Sequence, residues 1–369
     1  MGVRRLWILF VVFIINALLF FTWVHKPAAI THTAHSGPNP LLDQRENATF
    51  VTLCRNEDLG SIASTIVSYE DRFNKDFNYD WVFLNNEEFS EEFVDIISKL
   101  VSGEAKFGVI PAPEWSIPPW VDKDLAHEKM RELEDKGIIY GGSESYRHMC
   151  RFESGFFYNH ELMKPYKYYW RVEPDTKCFC DLTFDVFRYM RENGFRYGFT
   201  LALYEFQETI PTLWESTLKW LQAYQEYVPA DNLGRFITED QGRTYNGCHF
   251  WTNLEIADAD FWRGEEYSSY FEYLDKLGGF FYERWGDAPV HSIAASLLMK
   301  REEIVHLDFI GYNHPPFQHV PADFIERGMR CAANPTDNLD WDEFSCLRHF
   351  YSAQDMSDGI PAFVNRVLY

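Results

Sequence analysis

A strand–helix–strand pattern near position 50 constrains the architecture of this chain more than any other feature. The segment "ATFVTLC" (48–54) is rich in β-branched and aromatic residues, as is "YDWVFLN" (79–85), and both are typical of buried strands. Between them, apolar residues recur at helical spacing from 62 to 73. Two strands joined by a crossover helix normally pair in parallel. The sequence therefore predicts a parallel strand pair at the centre of an α/β fold.

Segments of the same two kinds alternate through the rest of the chain. The further predicted strands are 107–110, 168–172, 197–204, 248–256 and 304–310. The further predicted helices are 127–137, 144–158, 180–194, 212–228, 259–279 and 287–299. This alternation predicts a single domain over 47–369, with a mostly parallel central sheet. In such sheets, ligands bind beyond the carboxyl ends of the strands.

Two carboxylates follow the strongly apolar strand 168–172. Glu173 and Asp175 stand on either side of Pro174, which stiffens the backbone between them. Oxygen ligands at a sheet edge suit Mg²⁺ or Mn²⁺, which bridge diphosphates. A solvated turn is the alternative interpretation of an acid–proline–acid triplet, and spacing alone does not separate the two.

The formal net charge of −22 narrows the range of partners. A surface this acidic repels nucleic acids, so we expect no nucleic-acid partner. An anionic small substrate would need local positive charge or a metal ion. A metal at Glu173 would allow this protein to bind a nucleotide sugar.

The N-terminus carries a membrane-targeting pattern. Residues 6–24 are uncharged and apolar, and as a helix they would extend roughly 28 Å, close to the thickness of a bilayer core. Arg4 and Arg5 precede this run, which favours a cytosolic N-terminus. We interpret residues 1–5 as a cytoplasmic tail and 6–24 as an uncleaved signal anchor. A cleaved signal peptide is the alternative.

The segment after the predicted anchor resembles a linker. Residues 25–46 contain Pro, Gly, Ser and Thr with little apolar pattern, which is typical of a flexible lumenal stem. The triplet at 47–49 (Asn-Ala-Thr) is a glycosylation sequon, which agrees with a lumenal location.

The cysteine count suggests disulfides. The chain has seven cysteines, so in an oxidising lumen some should pair and at least one must stay free. Cys331 and Cys346 flank a short acidic loop and form the preferred pair. The Cys178-x-Cys180 spacing could suggest zinc, but a single pair favours a disulfide or free thiols.

Several long motifs resemble one known family. They are "YRHMCRFESGFFY", "YYWRVEPD", "IPTLW", "CHFWTNLEI", "GGFFYERWGDAPVHSIA" and "GYNHPPF". In order and spacing they are similar to the fungal Golgi α-1,2-mannosyltransferases, glycosyltransferase family 15, from about Phe50 to about Cys346. The resemblance implies a GT-A-like nucleotide-sugar-binding fold, GDP-mannose as donor, a Mn²⁺ cofactor and retention of the anomeric configuration. It also implies a type II Golgi membrane protein that extends mannose-terminated glycans of glycoproteins, O-linked or N-linked.

The resemblance assigns roles to the residues that would hold the donor. Glu173 stands where the family has its metal-binding acid, and Asp175 would assist it directly or through water. His314 in "GYNHPP" matches a second metal ligand, although without the resemblance it would be interpreted as a loop histidine. Arg55 and Tyr146 match contacts to the donor nucleotide.

Further matches concern the sugars and the chemistry. Glu255 in "NLEI" matches the family's proposed nucleophile, with acceptor orientation or charge stabilisation as the other possible role. Arg171, Trp251 and Asp287 stand where donor or acceptor sugars are expected. Asp287 could instead cap a helix, and His291 is more consistent with a structural role in that helix.

Near Cys331, "RCAANP" departs from the cysteine-rich pattern of the family. The remaining functional alternative is a non-catalytic, lectin-like or scaffold protein of the same fold.

Overall fold

The computed structural model describes residues 45–354 of the chain. The predicted tail (1–5), the predicted anchor (6–24) and nearly all of the predicted stem (25–46) lie outside this range. Within it, none of the helices combines the length and apolar character needed to cross a membrane.

The described region alternates strands with helices. The strands are β1 (Ala48–Leu53), β2 (Asp80–Asn85), β3 (Ala105–Val109), β4 (Tyr168–Arg171), β5 (Lys177–Cys178), β6 (Tyr197–Phe199), β7 (Ala202–Tyr204), β8 (Cys248–Phe250), β9 (Glu255–Asp258), β10 (Ile304–His306), β11 (Tyr312–His314) and β12 (Phe317–His319). The helices are α1 (Leu59–Tyr69), α2 (Lys75–Phe77), α3 (Glu91–Leu100), α4 (Lys123–Asp135), α5 (Glu144–Gly155), α6 (Val186–Asn193), α7 (Leu213–Ala223), α8 (Gly234–Ile237), α9 (Ala259–Arg263), α10 (Glu265–Leu277), α11 (Gly279–Tyr282), α12 (Asp287–Leu298) and α13 (Leu347–Ala353).

The central sheet has seven strands in the order β10-β6-β9-β4-β1-β2-β3. The predicted parallel pairing of β1 with β2 is confirmed. Strand β9 runs antiparallel to both β4 and β6, while the other neighbouring pairs are parallel. The sheet is therefore mixed, with a single inverted strand inside an otherwise parallel arrangement.

Two predicted strands each divide into two shorter ones. The segment predicted as one strand over 248–256 forms β8 and β9, and the segment over 197–204 forms β6 and β7. Strands β7 and β8 leave the central sheet and pair with each other. The break within 248–256 is a turn, in which the Leu254 amide donates to the Trp251 carbonyl 3.4 Å away. In this turn the Thr252 hydroxyl donates to the Asp287 carboxylate 2.7 Å away.

An aromatic layer fills one face of the sheet. Phe50, Trp81 and Trp170 stand in register on β1, β2 and β4. The Phe50 ring stacks on Trp81 at 4.4 Å and lies 5.2 Å from Trp170. Helices α1, α3 and α6 cover this layer with buried apolar side chains. Such aromatic contacts add to the free energy of apolar burial and fix the register of the strands.

The opposite face holds the polar groups of interest. Because side chains alternate along a strand, Val51 and Arg171, which follow Phe50 and Trp170 in register, point to this second face. Helices α4, α5, α10 and α12 contribute buried residues here. Arg171 is thus a cation inserted between the sheet and a helical layer.

The disulfide prediction was wrong. Cys331 bonds to Cys180 and Cys346 bonds to Cys248, so the two cysteines predicted to pair with each other have distant partners. Each disulfide attaches the C-terminal part of the described chain to the core. Because Cys180 is in a disulfide, the Cys178-x-Cys180 spacing does not form a zinc site. Cys54, Cys150 and Cys178 are buried free thiols.

Candidate active site

The strand order brings several predicted site residues to one edge of the sheet. Strands β1 and β4 are parallel, so the segments that begin at Arg55 and Glu173 leave the sheet at the same end. Strand β9 is antiparallel, so its first residue, Glu255, lies at that end too and pairs with Phe199, the last residue of β6. This is the carboxyl edge at which α/β sheets bind ligands.

A small second sheet places His314 beside Glu173. Strand β5 follows the "EPD" turn and pairs with β11, which ends at His314. The His314 Nε2 atom lies 3.7 Å from Glu173 Oε2, and both side chains are about one-quarter exposed. The Trp251 ring lies 4.7 Å from the imidazole ring. Glu173, His314 and Trp251 therefore form one partly exposed polar cluster beside an aromatic ring, which is called the pocket below.

The charges of this pocket are mutually stabilising. Burial favours the neutral form of Glu173, but the positive charge of Arg171 and the neighbouring His314 imidazole outweigh it and lower the pKa of Glu173. Burial opposes protonation of His314, but the neighbouring Glu173 carboxylate outweighs that effect and raises the pKa of His314. Glu173 is thus an ionised oxygen donor, with an imidazole nitrogen facing it.

Asp175 is not joined to this pocket. It is exposed and takes a left-handed backbone conformation, with φ of 65°, in the turn after Pro174. Within residues 45–354, no hydrogen bond or ion pair reaches its carboxylate. The turn is held instead by the Thr176 hydroxyl, which donates to the Glu173 carbonyl 2.7 Å away. The assisting role of Asp175 at a metal, directly or through water, stays a prediction.

Arg171 links the pocket to the helical layer. One guanidinium nitrogen lies 2.6 Å from Glu173 and another lies 2.6 Å from Asp287. Burial disfavours the charged guanidinium, but Glu153 and Asp287 outweigh it and raise the pKa of Arg171. Burial would raise the pKa of Asp287, but the Arg171 charge and the Thr252 hydroxyl lower it. The interpretation of Asp287 as a helix cap was wrong, because Gly286 occupies the cap position and the Asp287 side chain makes no capping bond.

Glu255 is enclosed by the protein. Its carboxylate is fully buried and accepts hydrogen bonds from the hydroxyls of Tyr169 at 2.6 Å and Tyr197 at 3.0 Å. His291 Nδ1 lies 3.3 Å away, and the His291 ring stacks on Trp262. His291 thus has a packed position, in agreement with the structural role predicted for it. In this conformation no face of the Glu255 carboxylate is open to a sugar.

The two residues predicted to contact the nucleotide differ in their surroundings. Arg55 is exposed and forms ion pairs with Glu57 and Asp58, and within the described residues it makes no contact with the pocket. Tyr146 is half-buried and stacks on Tyr140, with the ring centroids 4.6 Å apart. Burial raises the pKa of Tyr146 well above its usual range, so the phenol stays protonated and can donate a hydrogen bond.

The structure adds residues that sequence reasoning missed. Glu153 on α5 lies 3.7 Å from Arg171, and Arg284 lies 5.2 Å above the Tyr146 ring. The Arg284 guanidinium also pairs with Glu205 at 3.3 Å. On α5 the polar residues Arg147, His148, Arg151 and Glu153 are all buried, a tertiary property that the sequence alone does not show.

Comparison with known proteins gives consistent matches over most of the chain. The family model described as glycolipid 2-alpha-mannosyltransferase matches residues 25–355. The chain is 54% identical to alpha-1,2 mannosyltransferase KTR1 of Saccharomyces cerevisiae, covering 89% of this chain and 82% of that protein. It is 52% identical to glycolipid 2-alpha-mannosyltransferase 1 of Candida albicans, covering 84% and 72% respectively.

Solved structures agree with these matches. Core-mannan synthase A from Aspergillus fumigatus, in a manganese and GDP form, superposes with a TM-score of 0.77 at 38% identity over 83% of this chain and 84% of that one. The mannosyltransferase Ktr4p from Saccharomyces cerevisiae, in complex with GDP, superposes with a TM-score of 0.80 at 37% identity over 86% and 84%.

Proposed function

The chain belongs to the glycolipid 2-alpha-mannosyltransferase family and is a GDP-mannose-dependent α-1,2-mannosyltransferase, and we propose that it extends mannose-terminated glycans of glycoproteins with Mn²⁺ as cofactor and with retention of configuration. The approach of Glu173 to His314 at the carboxyl edge of the sheet is the observation that carries this proposal. A non-catalytic role has no supporting feature in the described residues.

The residues of the pocket fit a manganese ion. Glu173 offers a carboxylate oxygen and His314 an imidazole nitrogen, a donor set that Mn²⁺ accepts. The manganese and GDP form of a solved relative supports the choice of metal. When bound, the ion would neutralise the diphosphate and stabilise the GDP leaving group. Asp175 would assist Glu173 in this role, directly or through water.

The chain's own residues would orient the sugar. Arg171 is held from one side by Asp287 and from the other by Glu173, so its guanidinium has little freedom. Trp251 presents an aromatic ring beside His314, and such rings pack against the apolar face of a sugar. The protonated phenol of Tyr146 can donate to a phosphate or hydroxyl oxygen.

Retention leaves two routes for the transfer. A covalent route needs a carboxylate directly beneath the anomeric carbon, whereas a same-face route needs only a stabilised positive charge there. Glu255 is buried behind Tyr169 and Tyr197, which favours a role in electrostatic stabilisation over a role as nucleophile. We therefore propose that Glu255 stabilises positive charge from beneath the pocket.

The site of action is the Golgi lumen in this proposal. The apolar run at 6–24 supports a type II single-pass anchor, and the sequon at 47–49 supports a lumenal domain. Protection of the domain from protease in intact microsomes would agree with this topology. A mature chain that starts after Val24 would instead establish a cleaved signal peptide.

The direct experiment is transfer of labelled mannose from GDP-mannose to methyl α-mannoside by the purified protein. We expect transfer with Mn²⁺, and loss of transfer when EDTA is added or when Glu173 is replaced by Ala. Equal transfer with Mn²⁺ and with EDTA would refute the cofactor, and absence of transfer under every condition would refute the proposed acceptor class.

A further inference from the structure

Glu153 is a buried acid whose contacts do not account for its burial. It lies on α5 and is 3% exposed. Within the described residues, no hydrogen bond reaches its carboxyl group. The closest cation is Arg171, whose Nη1 atom lies 3.7 Å from Glu153 Oε2, within the range of an ion pair but beyond that of a hydrogen bond.

A carboxyl group in this position is costly for the fold. Burial raises the pKa of Glu153 to about 8, and the Arg171 charge only partly offsets this. An acid that is buried without full compensation normally reflects either a structural network or a functional site. A structural network would supply hydrogen bonds, and Glu153 has none among the described residues. A functional explanation is therefore preferable.

Arg171 supplies that explanation. Its guanidinium faces three carboxyl groups, at 2.6 Å from Glu173, 2.6 Å from Asp287 and 3.7 Å from Glu153. The contacts with Glu173 and Asp287 are within hydrogen-bond distance, and the contact with Glu153 is longer. Glu173 is also the acid proposed above to hold a metal. A carboxylate that donates electron density to a dication holds a neighbouring guanidinium less strongly, because the two positive centres repel each other.

We propose that Glu153 is an alternative ion-pair partner for Arg171. The guanidinium leaves Glu173 and pairs with Glu153 when Glu173 becomes a metal ligand. This inference rests on the metal role proposed for Glu173. Asp287 remains bonded to Arg171 in both positions and acts as the pivot. Glu153 is thus a positioning residue, because it affects metal binding through Arg171. Because burial raises the pKa of Glu153 to about 8, its carboxyl group releases a proton to solvent as the guanidinium arrives. Apart from that O–H bond no covalent bond changes, and one ion pair replaces another.

The exchange explains why a buried acid and a buried arginine occur together here. With only Glu173 and Asp287 as partners, Arg171 would compete with the metal for the Glu173 carboxylate. With Glu153 available, the competing cation keeps two carboxylate partners after the exchange. The inference predicts that the charge of Glu153, and not its volume, supports metal affinity.

The test measures Mn²⁺ affinity directly, by calorimetry on the purified protein without donor or acceptor. We expect Glu153→Gln to weaken Mn²⁺ binding by about tenfold, the lower end for residues behind a metal ligand. Glu153→Asp keeps the charge and should lie between the wild-type protein and Glu153→Gln. If packing alone mattered, the order would reverse, because Gln preserves the shape and Asp does not.

A matched control is Glu114→Gln. Glu114 is another partly buried acid near an arginine, Arg151, but it lies outside the pocket, and its replacement should leave Mn²⁺ affinity unchanged. Thermal unfolding of each variant shows whether it is folded. An unchanged Mn²⁺ affinity in folded Glu153→Gln would overturn the inference, as would an affinity in Glu153→Asp below that of Glu153→Gln.

Failure of the inference can be separated from failure of the proposed function. If the wild-type protein binds Mn²⁺ and Glu173→Ala does not, the metal role of Glu173 stands whatever Glu153 does. If Glu173→Ala binds Mn²⁺ as well as the wild-type protein does, the proposed metal site is wrong and the role of Glu153 fails with it.

Discussion

The Oε2 atom of Glu173 and the Nε2 atom of His314 lie 3.7 Å apart, although the two residues are distant in the sequence. They meet because β5, directly after the "EPD" turn, pairs with β11, whose last residue is His314. The approach therefore follows from the backbone ladder between β5 and β11.

The first prediction concerns these two residues. Glu173→Ala or His314→Ala removes one of two metal donors and should reduce GDP affinity in the presence of Mn²⁺ to the level measured without metal. Calorimetry of GDP binding with Mn²⁺ and with EDTA provides the comparison. We expect little change in thermal stability for His314→Ala, whose side chain is partly exposed. Glu173→Ala also removes a 2.6 Å partner of buried Arg171 and should lower thermal stability.

Matched controls come from the surface of α4, where Glu132→Ala and His127→Ala remove an acid and a histidine away from the pocket. Both should keep the Mn²⁺-dependent increase in GDP affinity. Full Mn²⁺ dependence in either Glu173→Ala or His314→Ala would show that the ion binds elsewhere.

The second prediction concerns Glu255. Glu255→Gln keeps the shape but removes the negative charge beneath the pocket, so turnover should fall by about two to three orders of magnitude while GDP affinity stays close to that of the wild-type protein. Tyr197→Phe removes only one hydrogen bond to the carboxylate and should cost far less. Steady-state kinetics with calorimetry separates the two effects.

Two outcomes would change this account of Glu255. Near-normal turnover in Glu255→Gln would exclude both charge stabilisation and nucleophilic attack. A mannosyl adduct isolated on Glu255 of the wild-type protein would establish the covalent route instead.

The third prediction concerns the disulfides. Peptide mapping without reduction should recover the pairs Cys180–Cys331 and Cys248–Cys346. Because each bond closes a long loop, Cys346→Ser should lower the free energy of unfolding by about 2–5 kcal/mol, measured by denaturant titration. A peptide pair that joins Cys331 to Cys346 would contradict the structure.

The fourth prediction concerns acid stability. His306 is buried, with Nε2 at 3.0 Å from the Thr200 carbonyl and Nδ1 at 2.9 Å from the Tyr351 hydroxyl. Burial, helped by the charge of nearby His319, lowers the pKa of His306 to about 4. Between about pH 6.5 and pH 4 the unfolded chain therefore binds a proton that the folded chain does not, and stability falls as the pH falls.

His306→Gln removes the imidazole that binds this proton in the unfolded chain, and it keeps a side-chain donor for the Thr200 carbonyl. Its loss of stability between pH 7 and pH 4.5 should be smaller than that of the wild-type protein by roughly 2–3 kcal/mol. His127→Gln, at the surface, controls for removal of a histidine. Equal pH profiles for the wild-type protein and His306→Gln would contradict the assignment.

Much of the fold could be predicted from the sequence because its signals are local. The β1–α1–β2 unit follows from apolar periodicity, and its parallel pairing is confirmed. The antiparallel direction of β9 between β4 and β6 has no local signal in the sequence, because it depends on which strands become its neighbours in the folded sheet. The disulfide prediction failed because it relied on closeness in sequence, whereas the actual partners, Cys180 and Cys248, are distant in the sequence.

The candidate site could also be predicted from the sequence only in part. The motifs predicted that Glu173, Arg171, Asp287 and His314 matter, and these residues do lie in a connected set of contacts. The sequence did not reveal that Glu255 is enclosed by two tyrosines, since both lie on other strands. The metal and sugar roles of all these residues stay predictions until they are measured.

The most direct test of the central claim identifies the product. Purified protein with Mn²⁺, GDP-mannose and methyl α-mannoside should form a disaccharide, which NMR should identify as α-linked to the 2-hydroxyl of the acceptor. Glu173→Ala should form none. A β-linked product would contradict retention, another linkage position would contradict the α-1,2 assignment, and equal product from Glu173→Ala would contradict the site.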